Sequence, residues 1–111
     1  MKLSEYFEGA AGMGILSTAD SAGAVDAAVY AKPHFIDEET VAFIMADRLT
    51  HHNVRQNPRA CYLFKEAGDK YTGRRLYLKM TREIQDPLLV GEMRRKKYPE
   101  VAGKYGDENK F

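Results

Sequence analysis

The sequence predicts a small α+β domain, mainly β, in which short helices flank an antiparallel, barrel-like sheet. Three observations predict it. Five apolar segments of strand length recur along the chain, turn-forming residues join the early ones at hairpin spacing, and a helical pattern replaces the strand pattern at only three short places. The length of 111 residues is one hydrophobic core's worth, so residues 1–111 read as a single domain and a multidomain machine is excluded.

The elements follow in order. Leu3-Ser4-Glu5-Tyr6-Phe7-Glu8 reads as a helix start with Ser4 as its N-cap, and Gly9 and Gly12 keep the helix short. Gly14 to Ala19 is a first strand, and Asp20-Ser21-Ala22-Gly23 is a turn. In the second strand, Val25, Ala27, Val29 and Ala31 alternate with Asp26, Ala28, Tyr30 and Lys32, which gives it one apolar face; Pro33 stops it. After the polar turn Asp37-Glu38-Glu39, Thr40 to Ala46 is a third strand, apolar on both faces and therefore expected at the centre of the sheet. Asp47 to Gln56 is polar except for Leu49 and Val54 and ends at Asn57-Pro58, as a short surface helix does. Ala60 to Glu66 is a fourth strand and Arg74 to Ile84 a long fifth one. Asp86-Pro87 then opens a last helix, whose end carries Arg94-Arg95-Lys96-Lys97, where the helix dipole favours cations.

Seventeen basic and sixteen acidic side chains leave a net charge of +1, too little to recruit nucleic acid or an anionic membrane by a global field. The charge is unevenly placed. Residues 1–50 hold three basic against eight acidic residues, net −5, and residues 51–111 hold fourteen against eight, net +6. Such segments can attract across a core or a subunit interface. The single cysteine, Cys61, leaves no disulfide framework and no Cys-rich zinc site; its simplest role is a small core residue. The start MKLSEYFEGAAG lacks the basic head and apolar core of a signal peptide, and no run approaches the roughly 20 apolar residues of a membrane span, so a cytoplasmic protein is expected.

The most informative stretch is Ala46-Asp47-Arg48-Leu49-Thr50-His51-His52-Asn53, a strand end feeding a helix start. Unpaired backbone N–H groups and the positive end of the helix dipole meet there, so Thr50 beside Arg48 can seat a phosphate. Spacing alone is also met by the simpler reading, in which Asp47 or Thr50 caps the helix and Arg48 is solvated. His51 and His52 point about 100° apart on a helix and cannot comfortably grip one metal ion. The basic cluster at 94–97 is flanked by Glu92 and Glu100 and reads as a solvated helix end. On the fifth strand, alternation places Arg75 rather than Arg74 on the face shared with Tyr77 and Lys79. Arg75 can reach a phosphate or a partner subunit there, or it is an edge charge that discourages aggregation.

The order of strands, followed by D-R-L-T-H-H-N-V-R-Q-N-P-R-A-C-Y-L-F at 47–64 and R-R-L-Y-L-K at 74–79, resembles the pyridoxamine 5′-phosphate oxidase-like family. The resemblance runs over residues 3–111, with Asn53-Val54-x-x-Asn57-Pro58-Arg59-Ala60 as its most telling piece. It implies an antiparallel split β-barrel that binds FMN in a cleft between the two subunits of a homodimer. Carried over by position, Val29, Tyr30, Ala31 and Lys32 would line the isoalloxazine, and Phe43, Ile44 and Met45 would lie beneath ring or ribityl. Arg48, Thr50 and Asn53 would hold the phosphate, and Arg75 would approach FMN from the partner chain. Lys32 would stabilise reduced, anionic flavin.

Two departures bear on activity. Many members place Arg or Lys at or just before the position of Thr50, where this chain has Leu49-Thr50, so Arg48 must compensate. The resemblance also implies a further strand after the last helix and, in true pyridoxamine phosphate oxidases, substrate-binding Arg and His residues near the C-terminus; the stretch from Tyr105 to Phe111 lacks them. Authentic vitamin B6 oxidase activity is thus disfavoured. The resemblance implies an FMN-dependent oxidoreductase that passes electrons or hydride between small molecules. The alternatives are a flavin- or haem-binding electron carrier of the same fold and an interaction protein with an empty cleft.

Overall fold

The structure, a computed structural model, describes residues 1–46 and 48–84. Within them the chain forms helix α1 (Leu3–Gly9), strands β1 (Gly12–Ala19), β2 (Val25–Tyr30), β3 (His34–Phe35) and β4 (Val41–Ala42), helix α2 (Leu49–Gln56), and strands β5 (Arg59–Glu66) and β6 (Gly73–Lys79). It is an α+β fold, mainly antiparallel sheet with two short helices. Strands β2-β1-β5-β6 form a four-stranded sheet and β3-β4 a separate two-stranded one, and no ladder joins the two into a closed barrel among the described residues.

The first hairpin forms for the local reason visible in its turn. Asp20 Oδ1 accepts from the N–H groups of Ala22 and Ala24, both at 2.9 Å, and Gly23 takes a positive φ of 89° that a side chain would resist. The chain then leaves the sheet, passes over its inner face as β3, β4 and α2, and returns as β5 beside β1 rather than beside β2.

One face of the four-stranded sheet is the core. Leu16 of β1 and Tyr62 and Phe64 of β5 are buried with Phe7 of α1, and Tyr30, Phe35, Phe43, Met45, Leu76 and Leu78 close around them. Fully burying an aromatic or leucine side chain contributes about 1.5–3 kcal/mol, so this group supplies much of the drive to fold. Gly14 is built into it: a Cβ there would stand 1.8 Å from the Tyr62 hydroxyl oxygen, so the Tyr62 side chain occupies the space a residue at 14 would need. That hydroxyl donates toward the carbonyls of Ala31 (3.2 Å) and Tyr30 (3.4 Å), pinning the end of β2.

Several expectations are corrected. Lys2, not Ser4, is the N-cap of α1; the Ser4 hydroxyl instead donates to the Glu38 carboxylate in the turn between β3 and β4. The stretch 40–46 is not a central strand. Only Val41–Ala42 pair, with β3, while Phe43 and Met45 pack onto the core without a ladder, so both faces are half-buried without sheet neighbours on two sides. The last strand ends at Lys79 rather than Ile84. In β2 the alternation is turned round: Ala28 and Tyr30 share the inner face with Gly14 and Leu16, while Val25, Ala27 and Val29 face outward. Cys61 lies on that outer face too, half-buried, between Ser17 and Tyr77, and is not a core residue. The last helix expected from Asp86 to Lys97, the basic cluster at 94–97 and the stretch 105–111 lie outside the described residues. No helix of the described residues is long and apolar enough to cross a membrane.

Candidate functional site

Helix α2 determines what its residues can offer. Thr50, Asn53 and Val54, at i, i+3 and i+4, form its buried stripe against β1 and β2. Asn53, 2% exposed, donates through Nδ2 to Thr18 Oγ1 at 3.1 Å, on the inner face of β1. Thr50, 4% exposed, shares a side-chain hydrogen bond with the Tyr30 phenol. Burial pushes the Tyr30 phenol above its ordinary pKa; the Thr50 bond opposes that and the Asp26 charge adds to it. The Tyr30 ring meets Phe43 edge-on at 6.1 Å, and Phe43 stands 5.2 Å from Tyr62. Tyr30, Phe43, Thr50 and Asn53, drawn from three separated segments, are thus one contiguous cluster.

Arg48 is the N-cap residue of α2, extended and exposed, and makes no side-chain cap. The expected cap at Thr50 does not form, since Thr50 is already inside the helix; Asp47, the other candidate, lies outside the described residues. The first N–H bonded within the helix is that of His52, to Arg48 O at 2.9 Å, so the N–H groups of Leu49 and Thr50 lie ahead of the ladder at the positive end of the dipole. A phosphate monoester needs a cation and N–H donors, and Arg48 with this helix start fits that donor set; the Thr50 and Asn53 side chains are engaged inward. Ile44 and Met45, half-buried, continue the segment between Phe43 and the helix. Tyr30, Phe43 and Met45 form an aromatic and aliphatic group packed against the buried core.

The other residues singled out from the sequence are placed elsewhere. Lys32 turns its ammonium to α1, donating to Phe7 O at 2.7 Å and Ala10 O at 2.8 Å, which satisfies carbonyls at the negative end of that helix. Ala31 offers its carbonyl to Tyr62. Val29 and Arg75 lie on the outer face of the sheet, in one cross-strand row with Ile15 and Leu63. A side-chain hydrogen bond with Tyr77 raises the pKa of the exposed Arg75. Arg74, on the opposite side of the strand, stands 4.1 Å over the Tyr6 ring.

Two residues of the site were missed in the sequence. Thr18 is the one of the two hydroxyl residues in the run Gly14–Ala19 that lies at the inward parity of Leu16. Tyr62 is the large residue that the small Gly14 requires. Among the described residues no group of three or more His, Cys, Asp or Glu side chains stands close enough to hold a metal ion. Comparison with protein-family models, curated proteins and solved structures finds no match for the chain.

Proposed function

We propose that the chain is an FMN-binding flavoprotein of the pyridoxamine 5′-phosphate oxidase-like kind, a cytoplasmic homodimeric oxidoreductase built on a split barrel. The observation that carries this reading is the junction at Tyr30. Its ring packs on Phe43 and its hydroxyl bonds Thr50, so the three segments expected to share a flavin lie against one another. The four-stranded and two-stranded sheets, separate yet packed on one core, support the split-barrel form.

Bound FMN supplies reversible transfer of hydride or electrons. The chain's own residues do the rest. Arg48 and the start of α2 hold the phosphate; Tyr30, Phe43, Ile44 and Met45 support the ring and keep water from one side of it. Tyr62, through the Ala31 and Tyr30 carbonyls, fixes the end of β2 against which the ring lies. Arg75 and Val29, on the outer face, serve the site of a second copy.

The test is a visible absorption spectrum of freshly purified protein and a titration with FMN. The reading expects flavin bands or saturable uptake, and a colourless protein that takes up no FMN overturns it. Steady-state turnover with NADH or NADPH separates an oxidoreductase from a carrier.

A further inference from the structure

Helix α2 is joined to the turn between β1 and β2 through the side chain of Gln56. Its Oε1 accepts from Ser21 twice, from the backbone N–H at 3.1 Å and from Oγ at 3.0 Å, while its Nε2 stands 2.7 Å from His52 Nε2, one helical turn back. These bonds fix the role of each group in sequence. The Ser21 N–H can only donate, so the oxygen of the Gln56 amide must face it and the NH2 must face His52. An amide NH2 can only donate as well, so His52 Nε2 must accept, and the ring carries its proton on Nδ1. The link in this form therefore requires a neutral imidazole of one tautomer. All three side chains are exposed, so water can deliver a proton to the ring.

We propose that Ser21, Gln56 and His52 form a pH-sensitive clasp between the first hairpin and α2, closed while His52 is neutral and opened when His52 takes a proton. A protonated imidazole donates at both nitrogens, so its Nε2–H meets the Gln56 NH2 donor to donor. If the amide turns over, Oε1 accepts from His52 and Nε2 can still donate to Ser21 Oγ, but the Ser21 N–H loses its acceptor. Either way the bond from the turn backbone to the helix is broken. The neighbouring charges do not offset this. One turn before and after His52 on its own helix stand Arg48, Leu49, Arg55 and Gln56, so the proton adds a cation beside two arginines and finds no carboxylate at pairing distance along the helix. Among the elements against α2, β1 carries no charged residue, and Asp26 of β2 lies on the inner face with Tyr30. Asp20 of the turn accepts from the Ala22 and Ala24 N–H groups. The stretch after β6 brings Arg82 and Glu83, and Glu83 is already paired with His51 and Arg55. The helix stays seated through Asn53 and Thr18, so acid frees the turn and leaves α2 in place. The clasp uses none of the residues assigned to the flavin.

Nuclear magnetic resonance of the full chain, titrated across the pH range in which imidazoles change charge, tests this. At the neutral end the His52 ring nitrogens should show the Nδ1–H tautomer. On acidification the Ser21 amide should move from a bonded to a solvated shift with the same midpoint as the His52 ring, and its protection from exchange should fall about fivefold, as for the loss of one net hydrogen bond. The Ala22 and Ala24 amides, tied to Asp20, should keep their bonded shifts through that step. His52→Gln should remove the step from Ser21. Gln56→Glu should keep Ser21 bonded in acid, because a carboxylate accepts from the Ser21 N–H and from a protonated His52 alike. Circular dichroism checks that the variants fold, and the titration of the parent chain decides the matter should either fail to. A His52 ring that titrates without moving Ser21, an Nε2–H tautomer at neutral pH, or a Ser21 step that persists in His52→Gln overturns the inference.

Discussion

The side-chain amide of Asn53 donates to Thr18 Oγ1 at 3.1 Å where neither residue meets solvent, so a single buried hydrogen bond fastens α2 to β1. Removing one partner leaves the other buried and unsatisfied, a cost of about 1–3 kcal/mol. Asn53→Ala is therefore expected to lower the free energy of unfolding by at least that amount, since it also opens a cavity. Thr18→Val alone should cost a similar sum. Urea denaturation of both singles and the double variant should show strong non-additivity, because the second substitution has no bond left to break.

Arg48 and Thr50 separate binding from stability. Arg48 is exposed at the mouth of α2, whereas Thr50 is buried against Tyr30. Arg48→Ala should weaken FMN binding by about tenfold, the loss of one charge-assisted contact of about 1.5 kcal/mol, while the urea midpoint stays unchanged. Thr50→Ala should lower the midpoint by itself, about 1 kcal/mol, with any loss of FMN following from a displaced Tyr30. Fluorescence titration alongside denaturation reads both. Unchanged FMN affinity in Arg48→Ala would remove the phosphate assignment.

The parts of the fold that were legible in the sequence are those fixed by neighbours in the chain. The Asp20–Gly23 turn needs only a carboxylate that reaches two N–H groups and a glycine at positive φ, and both are local. Helix α2 was legible in extent but not in phase. Once Val54 is taken as its buried residue, Thr50 follows at i−4 and Asn53 three residues on from Thr50, and their polarity is what made them read as exposed. The stretch 40–46 misled because apolarity on both faces says that both are covered without saying by what. In β2 the better apolar set faces outward, so the alternation showed that one face was apolar without showing which face met the core. The segregation into −5 and +6 halves also took form only in three dimensions. Among the described residues, Glu5 and Glu8 lie on α1 and Asp37, Glu38 and Glu39 in the β3-β4 turn, while Arg59, Lys65, Arg75 and Lys79 lie on the outer sheet face.

Gly14 and Tyr62 make a stability prediction of the opposite kind, from crowding. A Cβ at 14 would stand 1.8 Å from Tyr62 Oη and 2.3 Å from Cζ. Gly14→Ala must displace a ring that is fully buried and tied to the Ala31 carbonyl, and overpacking of this sort costs about 1–3 kcal/mol. Tyr62→Phe should rescue it only in part, because it removes the nearest atom and leaves the ring carbon behind it. Thermal unfolding of the two single variants and the pair measures the rescue.

Glu83 carries a pH dependence whose sign can be worked out. Its carboxylate accepts from His51 Nε2 and pairs with Arg55 Nε at 3.3 Å, both on α2. The His51 bond is the largest cause; desolvation, second to it, opposes, and the His51 and Arg55 charges add to the bond, so that together they hold its pKa below the ordinary value. A carboxylate whose pKa is lower folded than unfolded stabilises the fold at every pH above its unfolded value. That contribution is lost as pH falls from the unfolded value through the depressed folded one, so the clasp between α2 and the segment after β6 weakens in acid. Glu83→Gln should flatten this part of the acid limb of the stability curve and lower stability modestly at neutral pH, where both the pairing and its sensitivity to salt disappear together. Urea unfolding across the acid range, at low and high salt, distinguishes this from a general loss of packing. If the variant and the parent lose stability in parallel down the acid limb, Glu83 does not contribute to it.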